Sequence, residues 1–230
     1  YLGGTGKTPL VNLITRELKK KFKSVIIKKG YLSHLDEKRL LEKNKKVFFE
    51  KNRQDSLVKA IKEKFQLAIF DDGLQDKTID YDLKIVCFNS ITLAGNQLRL
   101  PAGPLREKLN NLRKYDAVFI TGNRCEKEFL KKIKKINPKI SIFNGEYVCS
   151  NFLKYKKNKY LIFSGIGNPQ SFEDTLLKYK INFKLNYVYP DHYYYSKKDI
   201  IKIKRDAKKN NLKLLTTEKD FYRIPIKLRK

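Results

Sequence analysis

Apolar and polar positions alternate along this chain in two periods, which change from one segment to the next. From Leu10 to Leu18 the apolar residues recur at three- to four-residue intervals, which predicts an amphipathic helix over residues 8–22. Residues 56–65 show the same period and predict a second helix. Short runs rich in β-branched and aromatic residues predict strands over residues 24–30, 46–50, 67–70, 82–89 and 115–122.

Strands that alternate with helices in this order indicate right-handed βαβ units. Such units build a mostly parallel sheet with helices packed on its faces. Ligands of these sheets gather at the carboxyl ends of the strands. The sequence therefore predicts an α/β fold, and the residues that follow each strand are the first candidates for chemistry.

The pattern restarts late in the chain. Residues 139–152 read as two short strands around Asn144 and Gly145, a strong hairpin signal. A strand, a loop and a helix follow, and then a helix that begins with Ser196 and Asp199 in capping-box spacing. These patterns predict a first domain over 1–140, a two-stranded linker over 141–155 and a smaller C-terminal α/β domain over 156–230.

The net charge of the chain suggests classes of binding partner but does not decide among them. Lysines and arginines number 52 against 24 aspartates and glutamates, which gives a formal net charge of +28. Such a field attracts nucleic acid, an anionic membrane or a polyanionic substrate. The excess is almost all lysine, however, with 10 arginines in the chain, and AT-rich codon use produces the same profile. Both explanations stay open at this point.

The cysteine and hydropathy patterns limit the cellular compartments in which the protein can be placed. Cys87, Cys125 and Cys149 are widely spaced without any C-x-x-C, which predicts neither a disulfide framework nor a zinc site and indicates a reducing cytosol. No apolar run reaches the roughly 18 residues that a membrane span needs. Tyr1 directly precedes a glycine loop of the kind that normally follows a strand, so we expect a natural N-terminal piece, with a possible anchor or signal, before it.

The opening glycines have the pattern of a phosphate-binding loop. Its glycines and its G-K-T core are Gly3, Gly4, Gly6, Lys7 and Thr8. In such a loop Lys7 contacts the β and γ phosphates of a nucleotide, and the Thr8 hydroxyl is a ligand of Mg²⁺. Tyr1 stands where the standard pattern has its first glycine, so a glycine-rich turn that opens a helix is the structural alternative.

Two adjacent aspartates, Asp71 and Asp72, end the apolar strand over 67–70. Paired carboxylates at such a strand end are costly unless a cation or hydrogen-bond donors balance them. Phosphate-loop enzymes keep the acid that holds magnesium and its water shell at this place. A solvated D-D-G turn is the alternative for the motif alone, but the nearby phosphate loop favours a metal site.

Two other loops carry candidate side chains. The segment 100–107 is a turn restricted by two prolines, and it presents Arg106 and Glu107 where an arginine can stabilise a transferring phosphoryl group. The segment 189–196 holds His192, one of only two histidines, beside an aspartate. A histidine in that setting is a candidate for acid–base chemistry. A surface turn and aromatic packing are the respective alternatives.

Six motifs occur in the order GGTGKTP, DDGLQD, LPAGPLRE, FSGIGNPQSF, YPDH and LTTEKD. Their order and approximate spacing over residues 2–220 resemble the tetraacyldisaccharide 4'-kinase family, the lipid A 4'-kinases of Gram-negative bacteria. The resemblance implies a P-loop NTPase-like fold and ATP- and Mg²⁺-dependent phosphorylation of a membrane glycolipid, the disaccharide precursor of lipid A. It also implies an N-terminal hydrophobic segment on the inner membrane and places the reaction at its cytoplasmic face.

The resemblance assigns roles residue by residue. Those matched to the phosphate loop are Thr5, Gly6, Lys7 and Thr8, those matched to the acids near magnesium are Asp71 and Asp72, and those matched to the turn near the phosphates are Arg106 and Glu107. Gln75 matches a nucleotide-site polar residue, and Glu107 is implied as a further metal ligand. Asp76 stands where the family usually has a histidine.

The family's general base is an aspartate in a G-D-E-P segment, paired with a histidine from the second domain. Asp36, in the segment Leu35–Lys38, is the nearest match, although the glycine and proline are absent. The resemblance therefore implies Asp36 as the base and His192 as its partner. A carboxylate that accepts the proton of a sugar hydroxyl fits this reaction.

The partners implied are the glycolipid substrate and an anionic membrane surface, on which lysines beside tyrosines and phenylalanines can rest. No specific nucleic acid is expected, and no oligomeric state is predicted. Two rival functions remain at this stage. One is another P-loop NTPase that uses water or a small hydroxyl as acceptor, and the other is a degenerate nucleotide- or nucleic-acid-binding protein.

Overall fold

The computed structural model describes residues 4–30, 46–122, 126–148 and 151–229. The chain divides into two compact units, which meet in sequence between Tyr147 and Val148. None of the helices in the described ranges has the length and apolar character needed to cross a lipid bilayer.

The first unit contains two parallel sheets with helices around them. Its elements in chain order are α1 (Lys7–Leu18), β1 (Ser24–Lys28), β2 (Val47–Phe48), α2 (Arg53–Lys62), β3 (Leu67–Asp71), β4 (Ile85–Asn89), a 3₁₀ helix (Leu109–Lys114), β5 (Ala117–Thr121), α3 (Lys127–Ile136) and β6 (Ser141–Gly145). The sheet orders are β2-β1-β3 and β4-β5-β6, and every strand pair is parallel. The predicted α/β class with parallel strands is confirmed.

The central strands carry the core of this unit. Val25, Ile26 and Ile27 of β1 are fully buried in succession, and in β5 Val118 and Ile120 are fully buried on either side of a half-buried Phe119. A run of consecutive apolar residues suits a parallel strand that is covered on both faces. Helices α1 and α2 both pack on β1. The amphipathic periods in the sequence therefore reflect helices that cover these strands.

A cavity of about 530 Å³ lies along β3 and β4. Its lining includes all of Leu67–Asp71 and the consecutive residues 85–88. Because successive side chains of a strand point to opposite faces, a cavity lined by successive residues follows the strand edge. Within the described residues no ladder joins β3 to β4, so the single sheet suggested by the alternation is two three-stranded sheets here.

The hairpin predicted around Asn144 and Gly145 is wrong. Both residues belong to β6, where Asn144 is opposite Ile120 and Gly145 is opposite Thr121 of β5 in parallel register. A Cβ on Gly145 would collide with the ring of Phe119, so the glycine serves close strand packing. Pairing with β5 overrides the local turn signal. The domain limits set at 140 and 155 stay a prediction.

The second unit is a smaller α/β unit. Its elements are α4 (Phe152–Lys156), β7 (Lys159–Ser164), α5 (Pro169–Lys178), β8 (Asn182–Val188), α6 (Lys197–Lys209), β9 (Lys213–Thr216), α7 (Glu218–Arg223) and a 3₁₀ helix (Ile226–Leu228). The strand order is β8-β7-β9, all parallel, and Leu161 and Ile162 of β7 are fully buried. The capping box predicted at the start of α6 is confirmed, with Ser196 and Asp199 bonding each other's backbone N–H.

Candidate active site

The glycine loop runs directly into α1. Gly6 is the N-cap residue with φ 83°, and Gly4 has φ 74°, so both occupy the left-handed region that favours glycine. A Cβ on Gly6 would also overlap the hydroxyl of Thr121. No side chain caps α1, all of which lies in the described part of the chain. The N–H groups of its first turn are therefore suited to bind an anion.

The loop lies at the carboxyl ends of three strands. The bonds that hold it there are Thr8 Oγ1 to Asp71 Oδ2 (3.0 Å), Asn89 Nδ2 to the Gly4 carbonyl oxygen (3.4 Å) and Thr121 Oγ1 to the Thr5 carbonyl oxygen (3.3 Å). Strands β3, β4 and β5 each contribute their last residue to this set. The position agrees with the general rule that ligands of parallel sheets bind at the carboxyl ends of strands.

Asp71 is the buried acid of the site. Its side chain is 1% exposed, and its Oδ2 accepts hydrogen bonds from Thr8 and from Lys28 Nζ at 2.8 Å. Its Oδ1 is buried and has no hydrogen-bond partner among the residues that the structure describes. An unsatisfied buried carboxylate oxygen is costly, and a bound cation would satisfy it. The Asp71 carboxylate and the Thr8 hydroxyl are oxygen ligands of the kind that Mg²⁺ prefers, so these residues fit that ion.

The Asp72 carboxylate contacts two cationic side chains, Lys7 and Arg106. Lys7 Nζ lies 3.1 Å from its Oδ1, and Arg106 Nη1 lies 2.9 and 3.1 Å from its two carboxylate oxygens. The same Arg106 nitrogen donates to Gln75 Oε1 at 2.6 Å. Burial disfavours the charged carboxylate, but the charges of Lys7 and Arg106 outweigh it and hold the pKa of Asp72 below its ordinary value. Four predicted site residues thus meet at one point.

Arg53 is a site residue that the sequence prediction missed. Its Nη2 donates to the carbonyl oxygen of Asp72 at 2.7 Å, and Asp72 has a left-handed backbone with φ 59°. Its Nη1 lies 3.6 Å from the carboxylate of Asp76. Arg53 is the first residue of α2, where a cation is unfavourable unless an anion faces it. Its position close to the start of a predicted helix is the signal by which the sequence could have indicated a role for Arg53.

Asp76 has a structural environment in this chain. Its Oδ1 accepts from the backbone N–H and the hydroxyl of Thr78, at 3.1 and 2.6 Å. These bonds, followed by the charge of Arg53, lower the pKa of Asp76. The aspartate therefore stabilises the turn after β3 and pairs with the arginine that holds Asp72.

Glu107, predicted as a metal ligand, is hydrogen-bonded within its own turn. Its Oε2 accepts from Asn111 Nδ2 at 2.9 Å and from the Tyr115 hydroxyl at 2.8 Å. Burial and then this bond to Glu107 raise the pKa of Tyr115, so its hydroxyl remains a donor. The carboxylate thus orients the 3₁₀ helix that follows Arg106, and its role as a metal ligand stays a prediction.

His192 belongs to the second unit, in the loop between β8 and α6. It has a left-handed backbone with φ 61°, and its N–H donates to the Gly165 carbonyl oxygen at 3.1 Å. Its Nδ1 lies 3.4 Å from Arg223 Nη2, and its Nε2 lies 3.9 Å from Asp191 Oδ2. Its predicted partner Asp36, and Gly3 of the loop, lie outside the described residues.

The Asp72 ion pairs give a testable pH dependence. At neutral pH, Asp72→Asn should lower the free energy of unfolding by about 1 kcal/mol, a value discounted because the pair is partly exposed to solvent. The pKa of Asp72 is lower in the folded protein than its ordinary value of 3.8. The contribution is therefore present above that value and is lost as the pH falls through the folded pKa.

Urea unfolding of wild type and variant, at neutral pH and well below pH 3.8, measures this difference. The gap between the two proteins should close at the low pH. Asp80→Asn, at an aspartate whose side chain is fully exposed, is the matched control and should change neither value. A gap of equal size at both pH values would contradict the ion-pair explanation.

The loop, the buried acid and the paired cations define a phosphate-loop enzyme of the α/β class. The sequence model of the tetraacyldisaccharide-1-P 4'-kinase family matches residues 1–230. A tetraacyldisaccharide 4'-kinase from Pelagibacter ubique (strain HTCC1062) is 48% identical over 227 residues, covering 97% of this chain and 72% of that protein. Another, from Rickettsia bellii (strain OSU 85-389), is 34% identical over 241 residues, covering 97% and 74%.

The chain therefore belongs to the tetraacyldisaccharide 4'-kinase family and is a kinase of lipid A biosynthesis. The resemblance drawn from the six motifs is confirmed, and the rival functions are set aside. Among solved structures, that of the hydrogenase maturation factor HypB from Archaeoglobus fulgidus matches with a TM-score of 0.46 and 14% identity, over 62% of this chain and 76% of that one.

Proposed function

We propose that the enzyme transfers the γ-phosphate of ATP, with Mg²⁺, to the 4' hydroxyl of a tetraacyldisaccharide 1-phosphate at the cytoplasmic face of the inner membrane. The observation that carries this proposal is the convergence of Lys7 and Arg106 on one carboxylate beside the glycine loop. Two cations that reach the same carboxylate can also reach one phosphoryl group. Phosphoryl transfer depends mainly on such positioning and charge stabilisation.

The residues of the loop supply the nucleotide site in this proposal. The N–H groups of the first turn of α1 bind phosphate oxygens, and the left-handed Gly4 and Gly6 let the backbone approach them. Lys7 exchanges its contact with Asp72 for the β and γ phosphates. Gln75 contacts Arg106 and orients its guanidinium toward the transferring group. Together these residues hold the γ-phosphate in place for attack.

Thr8 and Asp71 would hold the metal ion. Support comes from the unsatisfied Oδ1 of Asp71 and from the Thr8 hydroxyl, which bonds the other oxygen of the same carboxylate. When bound, Mg²⁺ neutralises charge on the β- and γ-phosphate oxygens. Lys28 Nζ contacts the Asp71 carboxylate at 2.8 Å and fixes its orientation. Asp72 follows Asp71 in the chain and contacts Lys7 and Arg106, and its predicted role near the metal ion stays a prediction.

Asp36 is the proposed general base and His192 its partner. A sugar hydroxyl is a weak nucleophile, so a carboxylate that accepts its proton aids attack on the γ-phosphorus. The new bond forms between the 4' oxygen and phosphorus, the bond to the β–γ bridging oxygen breaks, and ADP leaves. His192 would orient the carboxylate of Asp36 through its ring N–H. The support for Asp36 is the matched segment in the family, not a contact in the structure.

Peripheral contact with anionic lipid is the proposed mode of membrane association. The net charge of +28 favours an anionic surface. Tyr194 and Ile201 are each more than half exposed, and lysines of α6 lie beside them in the sequence. Apolar side chains flanked by lysines are typical of helices that rest in the lipid interface. Such a surface would bring the enzyme to a glycolipid that stays in the membrane.

The test is transfer of labelled γ-phosphate from ATP to the purified disaccharide lipid in mixed micelles, with the full natural protein. We expect a product with phosphate on the 4' oxygen, formed only with Mg²⁺ present. ATP turnover that is unchanged by the lipid would show water to be the acceptor and overturn the proposal. Asp36→Asn alongside tests the base, because normal transfer by this variant would remove Asp36 from the mechanism.

A further inference from the structure

We propose that Arg223, held in place by Asp220, is a positioning residue that sets the orientation and the tautomer of His192. The inference rests on the proposed role of His192 in transfer. Its residues lie in and around two of the six sequence motifs, FSGIGNPQSF at the end of β7 and LTTEKD, which have no assigned role in the nucleotide site. All of the residues concerned lie in the second unit.

Asp220 is the fixed anchor of this cluster. Its side chain is fully buried, and its Oδ1 accepts from the Gly165 N–H at 2.9 Å and from the Tyr195 hydroxyl at 3.1 Å. Its Oδ2 accepts from the Thr217 hydroxyl at 2.6 Å. Burial and the charge of Asp220 raise the pKa of Tyr195, so this hydroxyl stays a donor. A buried carboxylate with this many donors is held in one orientation.

Arg223 extends the cluster toward His192. Its side chain is 1% exposed, and its Nη1 donates to the Gly165 carbonyl oxygen and lies 3.4 Å from Asp220 Oδ1. Its other terminal nitrogen, Nη2, lies 3.4 Å from His192 Nδ1. A guanidinium is planar, so fixing Nη1 on an anchored carbonyl and an anchored carboxylate also fixes the direction of Nη2. The imidazole therefore meets a donor whose position it does not itself determine.

The chemistry of the pair determines the tautomer. Arginine has five N–H donors and no acceptor, so the contact is a hydrogen bond only if His192 Nδ1 accepts. The proton of the neutral imidazole is then on Nε2. The backbone of His192 is anchored by the same residue, because its N–H donates to the Gly165 carbonyl at 3.1 Å. The Gly165 carbonyl oxygen thus fixes the His192 backbone directly and the His192 ring through Arg223. In this tautomer Nε2–H is the donor that can bond a carboxylate or a substrate oxygen.

The test combines NMR of the ring with kinetics. The chain has two histidines, so ring nitrogen signals can be assigned with His34→Ala. In wild type, His192 should show one unprotonated nitrogen, Nδ1, and one protonated nitrogen, Nε2. In Arg223→Gln the side chain is too short to keep both the Gly165 and the His192 contacts, so the two tautomers should mix. Ring signals that do not change in Arg223→Gln would overturn the proposal.

Kinetics separate positioning from general structural damage. We expect Arg223→Gln to lower kcat on the order of 10²-fold, as displacing a catalytic group does, with the nucleotide KM unchanged because the predicted nucleotide contacts lie in the first unit. If Arg223 acts through His192, adding Arg223→Gln to His192→Ala should cost no further activity. Losses that multiply in the double variant would show an independent role and contradict the proposal.

Arg229→Gln is the matched control. Arg229 donates to the carbonyl oxygens of Ile224 and Tyr222 at 2.9 and 2.8 Å, so this variant loses backbone hydrogen bonds in the same region without touching the His192 cluster. It should keep wild-type kcat and wild-type ring signals. If Arg223→Gln does not fold, Arg223→Lys keeps a cation near Asp220 but has one nitrogen, and the same outcomes apply.

Failure of this inference is distinguishable from failure of the proposed function. If wild type transfers no phosphate to the lipid, or if His192→Ala transfers it normally, the proposed role of His192 is wrong. The ring signals of Arg223→Gln still decide whether Arg223 sets the tautomer. If transfer and the His192 effect are both present but the ring signals are unchanged, only the role of Arg223 is wrong.

Discussion

Lys7→Ala should lower kcat for transfer to the lipid by on the order of 10²–10³-fold, the loss seen when a charge-stabilising group is removed from a transition state. Lys7 Nζ lies 3.1 Å from Asp72, beside the cation of Arg106 and at the start of α1. In the proposed mechanism, its charge lies where negative charge develops on the phosphoryl group. Because the proposed contact between Lys7 and the phosphoryl group would strengthen as the β–γ bond breaks, kcat and kcat/KM should fall together.

The structural consequences of this substitution are small, which makes the kinetic result interpretable. The side chains of Lys7 and Asp72 are 27% and 33% exposed, and Asp72 keeps its contacts with Arg106. We expect the free energy of unfolding to change by about 1 kcal/mol or less, as for other partly exposed pairs. Lys20→Ala, which removes the same charge from an exposed position after α1, should leave both quantities unchanged. Transfer by Lys7→Ala within a few-fold of wild type would contradict the assignment.

Local patterns predicted the elements because each one depends on residues close in sequence. The period from Leu10 to Leu18 gave α1, and the runs before Asp71 and around Val118 gave β3 and β5. The helix ends at Leu18 rather than at residue 22, since a period has no sharp end without a capping residue. The error at Asn144 and Gly145 has the opposite cause, because a strong local turn signal yielded to pairing with a strand more than twenty residues away.

The site was predictable in its residue types but not in its contacts. The loop and the acids are short motifs, so Lys7, Thr8, Asp71 and Asp72 could be named from sequence. That Arg106 and Lys7 share Asp72, while Thr8 and Lys28 share Asp71, depends on which strand ends lie side by side. A sequence period carries no such information.

In the second unit too, a residue type could be predicted from the sequence but its contacts could not. His192 could be singled out because histidine is rare in this chain. The buried pair of Asp220 and Arg223 could not, because both residues sit in an ordinary short helix and only their burial distinguishes them. Charged residues are seldom fully buried unless they are paired, so burial and pairing had to be seen together.

Asp71→Asn is the second substitution with a large expected effect, and it should affect transfer and stability at once. An amide in place of this carboxylate removes the charge that would hold Mg²⁺, so kcat should fall by on the order of 10²–10³-fold, as with loss of other charge-stabilising groups. It also removes the anion that faces Lys28, whose side chain is 11% exposed. Breaking a buried ion pair by removing one partner costs on the order of 3 kcal/mol, which urea unfolding measures.

The two effects can be separated with Lys28→Met. Replacing both partners of a buried pair by neutral groups is often close to neutral, so the double variant Asp71→Asn/Lys28→Met should recover much of the lost stability. It should not recover transfer, because the proposed metal-binding carboxylate is still absent. The single variant Lys28→Met, with Asp71 intact, is the control for the loss of the lysine. If transfer returns in the double variant together with stability, Asp71 serves the fold alone and the proposed metal site is wrong.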